Sequence, residues 1–302
     1  PLAIVFLLWA LARLFIIIGN LPLAAAADIS FALLLAGLLF RVLWLAKLWK
    51  NFTLLGLVAL MGIFNAWFYA MVLTDQPGNP LFPIELALLV VMQILVVMGG
   101  RVIPNFTQNG VPGITIWKPP FFVIATPVIT AMAILAWLTL PPRLALVTCL
   151  VAAGVNFSRW VGWKPWKTLK HPMVWVLQLG YLWIPITLLT MGLESVGIVL
   201  RSLPIHTLAV GAIGLIIAGM ITRTAMGHTG RQISASRLEL GFFLLIAISG
   251  LLRALAATQL WTPTQVSGLL LASGTAWSLG FLVYACRYAP WLFRPRIDGR
   301  PG

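Results

Sequence analysis

The chain has 302 residues, of which 61% are hydrophobic and only 9% are charged. A soluble domain carries about 25% charged residues, so this composition excludes an ordinary soluble protein and indicates a membrane protein with many spans. The net charge of +14 does not indicate a nucleic-acid partner, because the basic residues fall in short groups between apolar runs and form no solvated basic face with aromatic platforms.

Apolar runs of about 17 to 25 residues predict membrane-spanning helices. Ten such runs occur in chain order, at residues 2–18, 23–46, 52–74, 81–100, 120–140, 143–160, 173–192, 204–223, 238–256 and 264–288. Proline-rich and glycine-rich breakers separate them, without a long polar linker. The sequence therefore predicts an all-α, polytopic transmembrane helix bundle in which residues 1–302 form a single domain. Because the chain opens at Pro1 directly on an apolar run, we expect further sequence upstream.

The basic residues are distributed unevenly between the two faces that alternate connections define. Sixteen of the twenty Lys and Arg residues fall on the first face, three (Arg143, Arg201 and Arg253) on the second, and Arg13 lies within the first span. Short cytoplasmic loops carry an excess of basic residues. The sequence therefore predicts that the first face and the C-terminus are cytoplasmic.

Arg13 and Asp28 are charged residues inside predicted spans, where charges usually face protein and find partners. In an antiparallel hairpin of the first two helices they reach similar depth, so we expect an ion pair. A structural role and a role in a substrate or proton path both remain open. Glu85 is a further acidic residue near the second face. Asn65, Gln93 and Asn156 also lie inside spans, where interhelical hydrogen bonds are expected.

His206 and His228 are the candidate metal ligands, and a single helix rising ~1.5 Å per residue would separate them by about 33 Å. They therefore lie on opposite faces of a bilayer and cannot share one metal ion. His206 is on the less basic face, where neutral imidazole is a good ligand for transition metals. His228 lies in a cluster with two arginines, Arg223 and Arg231. Motifs of soluble enzymes such as a Walker A loop or HExxH are absent.

Three segments resemble signatures of the NnrS family. Gly99–Thr107 reads GGRVIPNFT, 220–231 reads MITRTAMGHTGR, and 287–302 reads RYAPWLFRPRIDGRPG. They occur in the family's order, and the similarity covers essentially the whole chain. Gln178 departs from the family pattern, because it stands where an HxGYxW motif has histidine.

The resemblance implies a bacterial inner-membrane protein of about twelve apolar spans of the usual length. It also implies haem and copper as cofactors, nitric oxide as the small molecule encountered, and a role in protection from nitrosative stress, often beside denitrification. The family has two further N-terminal helices with an HxHE-like motif, and these have no counterpart in residues 1–302.

Two sites follow as hypotheses. One is an outer metal site that joins His206 to the HxHE-like residues, with Asp28 or Glu85 in contact with the ligands. The other is a cytoplasmic cluster of Arg101, Asn105, Arg223, His228 and Arg231, which is either structural or anion-binding.

Three classes of function remain from the sequence. The first is a haem- and copper-binding membrane protein of the nitric-oxide response. The second is a transporter of a small solute or metal, for which intramembrane charges are ordinary. The third is a catalytic oxidoreductase, for which the chain holds few histidines.

Overall fold

The computed structural model describes residues 2–299. This range is helical and contains no strands, and nine of its helical segments are long and apolar enough to cross a membrane. A further apolar helix, Leu2–Ile17, has 16 residues and so falls just short of the usual spanning length. The predicted all-α polytopic fold is confirmed. The last three residues of the tail motif, 300–302, lie outside the described range.

The helices are numbered in chain order: α1 (Leu2–Ile17), α2 (Leu21–Leu45), α3 (Phe52–Leu73), α4 (Leu81–Gly110), α5 (Phe122–Thr139), α6 (Pro142–Gly162), α7 (Pro172–Ser195), α8 (Ser202–His206), α9 (Gly214–His228), α10 (Arg237–Ala256) and α11 (Pro263–Leu292). A π-helical segment, Thr207–Ile213, joins α8 to α9, and single 3-10 turns occur at Trp49–Asn51 and Pro165–Thr168.

The residues at the helix starts explain where these elements begin. Pro142, Pro172 and Pro263 occupy first-turn positions, where the missing N–H costs nothing. Ser236 and Thr262 each form a capping box with the Glu or Gln three residues later. These local signals are visible in the sequence, so most predicted boundaries lie within a few residues of the observed ones.

α4 departs from the prediction, because it continues ten residues beyond the expected end at Gly100, to Gly110. Pro104 lies inside it. In a membrane helix, neighbouring side chains compensate for the hydrogen bond that a proline removes. The GGRVIPNFT motif therefore forms about two and a half helical turns within α4.

The segment that carries His206 was predicted as one α-helix, and it is interrupted by the π-helical residues Thr207–Ile213. π-Helical turns in α-helices frequently occur at functional sites. Close packing accompanies the interruption: a Cβ at Gly211 would lie 2.4 Å from the Trp183 ring, and one at Gly214 would lie 2.8 Å from Trp277. The small residues on this segment therefore serve helix packing, as their spacing predicted.

The described chain divides into two compact units, one ending at Ile94 and the other beginning at Leu95, within α4. The single-domain organisation expected from the sequence stays a prediction, and each unit is described by itself. In the first unit, α2 packs against α1 and α3. Its small core contains Ala24, Ala25 and Tyr69, and most of its large apolar side chains are exposed, as lipid-facing residues are.

In the second unit α7 is the most buried of the spanning helices and packs against α6, α9 and the π-helical segment. Glycines make these contacts close: a Cβ at Gly180 would lie 2.7 Å from Ile216, and one at Gly219 would lie 2.6 Å from Leu177. α7 is therefore the central helix of the second unit. The His206 segment lies beside it.

Candidate functional site

Arg13 and Asp28 form the ion pair that the sequence predicted, between α1 and α2. The Tyr69 hydroxyl of α3 donates a second hydrogen bond to the same carboxylate oxygen of Asp28, at 3.0 Å. Asp28 is 6% exposed, so its charge depends on these two partners. Both members of the pair line a cavity of about 450 Å³, and Asn65 lines the same cavity.

Glu85 is half-buried in α4, and it belongs with Asp28 to the first unit. His206 belongs to the second unit. A role for Asp28 or Glu85 beside a metal held by His206 therefore stays a prediction.

His206 has both ring nitrogens in hydrogen bonds. Nε2 lies 2.5 Å from Nη2 of Arg253, and Nδ1 lies 2.6 Å from the Ser202 carbonyl oxygen. A guanidinium can only donate, so Nε2 accepts, and the hydrogen of the ring is on Nδ1. The imidazole is therefore the neutral Nδ1–H tautomer, and the lone pair that a metal would use faces an arginine. The contact also shows that His206 and Arg253 lie at the same end of the bundle, as the sequence predicted.

His228 is the last residue of α9, and it ends the helical segment Ser202–His228, near whose start His206 lies. Its imidazole is exposed, and its carbonyl oxygen accepts a hydrogen bond from Arg296 at 3.3 Å. Gly227 and Gly230 flank His228, and glycine is the residue that most readily makes a tight turn. Only Gly230 does so, with φ of +74°, because Gly227 is helical.

The second and third sequence motifs pack against each other. The amide of Ile297 donates to the Thr229 carbonyl oxygen at 3.3 Å, and Arg296 donates to the carbonyl oxygens of Gly227 and His228. Arg296 also pairs with Asp298, whose carboxylate raises the pKa of that guanidinium. The tail motif therefore packs over the end of α9, which gives its residues a structural use.

Arg231 stacks on the ring of Trp291, with Cζ 4.2 Å from the ring centroid. Arg287 stacks on the same ring at 4.3 Å and pairs with Glu239 at 3.4 Å. The Tyr288 hydroxyl donates to Glu239 at 2.9 Å. Arg231 is thus held by an aromatic ring of the third motif, which favours the structural reading for this member of the cluster.

Arg223 joins the first motif to the second. Its Nε and Nη2 atoms donate to the Met173 carbonyl oxygen at 3.1 and 2.7 Å, and its Cζ lies 4.2 Å from the centroid of the Phe106 ring. Arg101 and Asn105, which the sequence grouped with Arg223, lie one turn apart on the exposed side of α4. Phe106 is therefore the residue of the first motif that contacts Arg223.

The second unit contains a buried polar network that the sequence predicted only in part. Arg159 is 4% exposed and donates to the Val96 carbonyl oxygen at 3.1 Å and to the Tyr181 hydroxyl at 3.3 Å. Tyr181 in turn donates to Asn156, which donates to Thr130. The hydrogen bonds of Asn156 were predicted. The sequence indicates only that Arg159 is one of the sixteen basic residues of the predicted cytoplasmic face, because position at the end of a span does not reveal burial.

Gly100, a glycine at the end of a predicted span, is the sequence feature associated with the burial of Arg159. A Cβ at Gly100 would lie 1.7 Å from Nη2 of Arg159, so the glycine of the first motif makes room for the guanidinium. Gln178, where the family pattern has histidine, donates from Nε2 to the Thr107 hydroxyl at 2.8 Å. Residues of the first motif thus contact both α6 and α7.

Among residues 2–299, no group of three or more His, Cys, Asp or Glu side chains is placed to hold a metal ion. Cys149 is buried and Cys286 is exposed, and the two are not bonded to each other. Candidate ligands are therefore isolated imidazoles in this part of the chain.

Comparison with known protein families gives one match that spans nearly the whole chain. A family model described as NnrS protein covers residues 1–296. No curated protein and no solved structure matches the chain.

Proposed function

Because the chain belongs to the NnrS family, we propose that it is a haem- and copper-containing protein of the bacterial inner membrane that acts in the nitric-oxide response. Its role would be to protect the cell from nitrosative stress. The observation that carries this proposal is the family match over residues 1–296. The mutual packing of the three motifs supports it, because the residues that define the resemblance form one connected part of the second unit.

The described residues do not by themselves form a haem or copper site. His206 is the best-placed imidazole, but its free lone pair is used by Arg253. A metal at Nε2 would require Arg253 to move away, and no group of three or more His, Cys, Asp or Glu among the described residues could complete its ligands. When bound, haem or copper would supply a centre that binds nitric oxide. Of the described residues, His206 would hold this centre through its imidazole, with the Arg253 guanidinium beside it.

The direct test is the optical spectrum and the metal content of the purified full-length protein, with and without nitric oxide. We expect a haem Soret band that shifts on addition of nitric oxide, together with bound copper. A colourless preparation free of both metals, from cells supplied with haem and copper, would contradict the cofactor proposal.

His206→Ala and His228→Ala form a matched pair for locating the metal. We expect His206→Ala to lower the haem or copper content and His228→Ala to leave it unchanged, because only His206 faces the less basic end of the bundle. Unchanged metal content in both variants would exclude both histidines as ligands, while leaving the family-based function intact.

The proposed orientation places His206 outside and His228 with the C-terminus in the cytoplasm. Single cysteines at positions 206 and 228, in a chain with Cys149→Ala and Cys286→Ser, test it in intact cells. We expect a membrane-impermeant maleimide to label position 206 only. Labelling of position 228 alone would reverse the topology.

A transporter is the second candidate, and one observation favours it. The ion pair Arg13–Asp28 lines a cavity of about 450 Å³ within the first unit, and interrupted helices and intramembrane charges are common in transporters. Uptake of a labelled solute or metal ion by proteoliposomes, abolished in Asp28→Asn, would support this function. Uptake of the solute by protein that contains neither haem nor copper would favour the transporter over the haem- and copper-containing protein.

A further inference from the structure

A cavity of about 530 Å³ lies in the second unit, at the end of the bundle predicted to be cytoplasmic. The end of α4, the residues that open α7, the last turns of α9 and the connection before α10 all contribute to it. It is separate from His206 and from the Arg231–Trp291 stack, neither of which lines it.

The cavity wall is positively charged. Arg223, Lys170 and His171 line it, and the described lining contains no Asp or Glu. The nearest acidic residue along the chain from the connection before α10 is Glu239, which is already engaged by Ser236, Arg287 and Tyr288. The electrostatic potential in the cavity therefore favours an anion.

Arg223 is pre-positioned for such a ligand. Its two contacts, the Met173 carbonyl oxygen and the Phe106 ring, fix the plane of the guanidinium without neutralising it. A guanidinium has five N–H donors, and these contacts use one from Nε and one from Nη2. The remaining donors include both hydrogens of Nη1. A planar fork with unused donors matches the oxygen geometry of a phosphate group.

The other groups that line the cavity also favour an anion. α7 begins at Pro172 and its first turn borders the cavity, so the partial positive charge of a helix start adds to that of Lys170. Asn109 and Ser234 add neutral hydrogen-bonding side chains. The short basic segments of cytoplasmic loops lie where anionic lipid headgroups are concentrated.

We propose that this cavity binds a phosphate-bearing anion through Arg223 and Lys170, either the headgroup of an anionic phospholipid or a soluble phosphate. The site differs from the cytoplasmic cluster expected from the sequence, because it uses Lys170 and Asn109 in place of Arg101 and Arg231. It does not depend on the metal content of the protein.

The test uses the purified full-length protein in a neutral detergent and two probes. Inorganic phosphate and dioctanoyl phosphatidylglycerol are titrated separately, and binding is followed by calorimetry. Arg223→Gln and Lys170→Gln are the test variants. Lys170 is exposed, so we expect Lys170→Gln to fold normally. This variant tests the site even if Arg223→Gln fails to fold. Arg294→Gln is the matched control, because Arg294 is also basic and exposed and does not line the cavity.

We expect each test variant to weaken the binding of at least one probe about tenfold or more, as loss of a charge-assisted hydrogen bond does. Arg294→Gln should bind as the unaltered chain does. Binding of phosphatidylglycerol that inorganic phosphate does not displace identifies a lipid site, and tight binding of inorganic phosphate alone identifies a soluble ligand.

Absence of binding of both probes would overturn the proposal. So would equal weakening in all three variants, because that result indicates only a general attraction to a basic surface.

Discussion

Nε2 of His206 accepts a hydrogen bond from Nη2 of Arg253 at 2.5 Å. A positive charge therefore lies directly against the lone pair that a metal ion would use. Arg253 is in the last turn of α10, and the π-helical segment begins directly after His206. No carboxylate among the described residues forms an ion pair with Arg253. Arg253 therefore controls whether the His206 lone pair is available.

Substitution of Arg253 by Ala is expected to expose Nε2 of His206. The imidazole of the variant should react several-fold faster with diethyl pyrocarbonate, which attacks an unprotonated ring nitrogen. Peptide mass spectrometry measures the modification, with His171 and His228 as internal references. Arg143→Ala is the control, since Arg143 is exposed and predicted at the same end. An unchanged rate at His206 would mean that Arg253 does not shield it.

Asp28→Asn is expected to destabilise the first unit by about 1–3 kcal/mol, because it leaves the Arg13 charge without its partner. The value is below that for complete removal of a buried partner, because the Asn side chain keeps an oxygen that accepts a hydrogen bond from Arg13. Thermal unfolding in detergent measures the change. Asp75→Asn is the control, because Asp75 is exposed.

A double-mutant cycle of Asp28→Asn with Arg13→Gln separates the pair from other effects. We expect the double variant to be less destabilised than the sum of the two single variants. Tyr69→Phe should cost about 1 kcal/mol, the loss of one hydrogen bond. Strict additivity of the two charge changes is the result that contradicts a coupled pair.

Gly100→Ala is expected to destabilise the second unit, because the added Cβ would lie 1.7 Å from Nη2 of Arg159. Overpacking of this kind costs about 1–3 kcal/mol, and displacing the buried guanidinium from Val96 and Tyr181 adds to it. The melting temperature and the yield of folded protein measure the effect.

Gly154→Ala is the matched control on α6, where a Cβ would meet nothing within 4 Å. It should be neutral or stabilising, because alanine has the higher helix propensity by about 1 kcal/mol. Equal effects at both positions would indicate that Arg159 does not need the space at Gly100.

Gly230→Ala is expected to release the tail from the end of α9. The position has φ of +74°, and a Cβ would lie 2.9 Å from the Asp298 carboxylate. Hydrogen exchange of the Ile297 amide, which donates to Thr229, should become faster. Gly227→Ala is the internal control from the same motif, because a Cβ there meets nothing within 4 Å. Unchanged protection of Ile297 in Gly230→Ala would argue against docking of the tail.

The amino-acid sequence determined the fold class, the ten apolar helical segments and most of their ends. The bilayer sets the length of apolar spans, and prolines and capping residues act locally. The spans and the helix ends can therefore be predicted without a structure. The Arg13–Asp28 pair was also predictable, because two opposite charges inside adjacent antiparallel spans have few other partners.

Only the tertiary structure decided which polar groups are buried and which partners they have. Arg159 and Arg101 both occur at the ends of predicted spans, but Arg159 is buried against Gly100 and Arg101 lies on the exposed side of α4. The environment of His206 likewise depends on Arg253, which is 47 residues away in the chain. Such contacts arise from the packing of α6, α7, α9 and α10 against one another, and the local periodicity of a sequence does not specify the rotation of each helix about its axis.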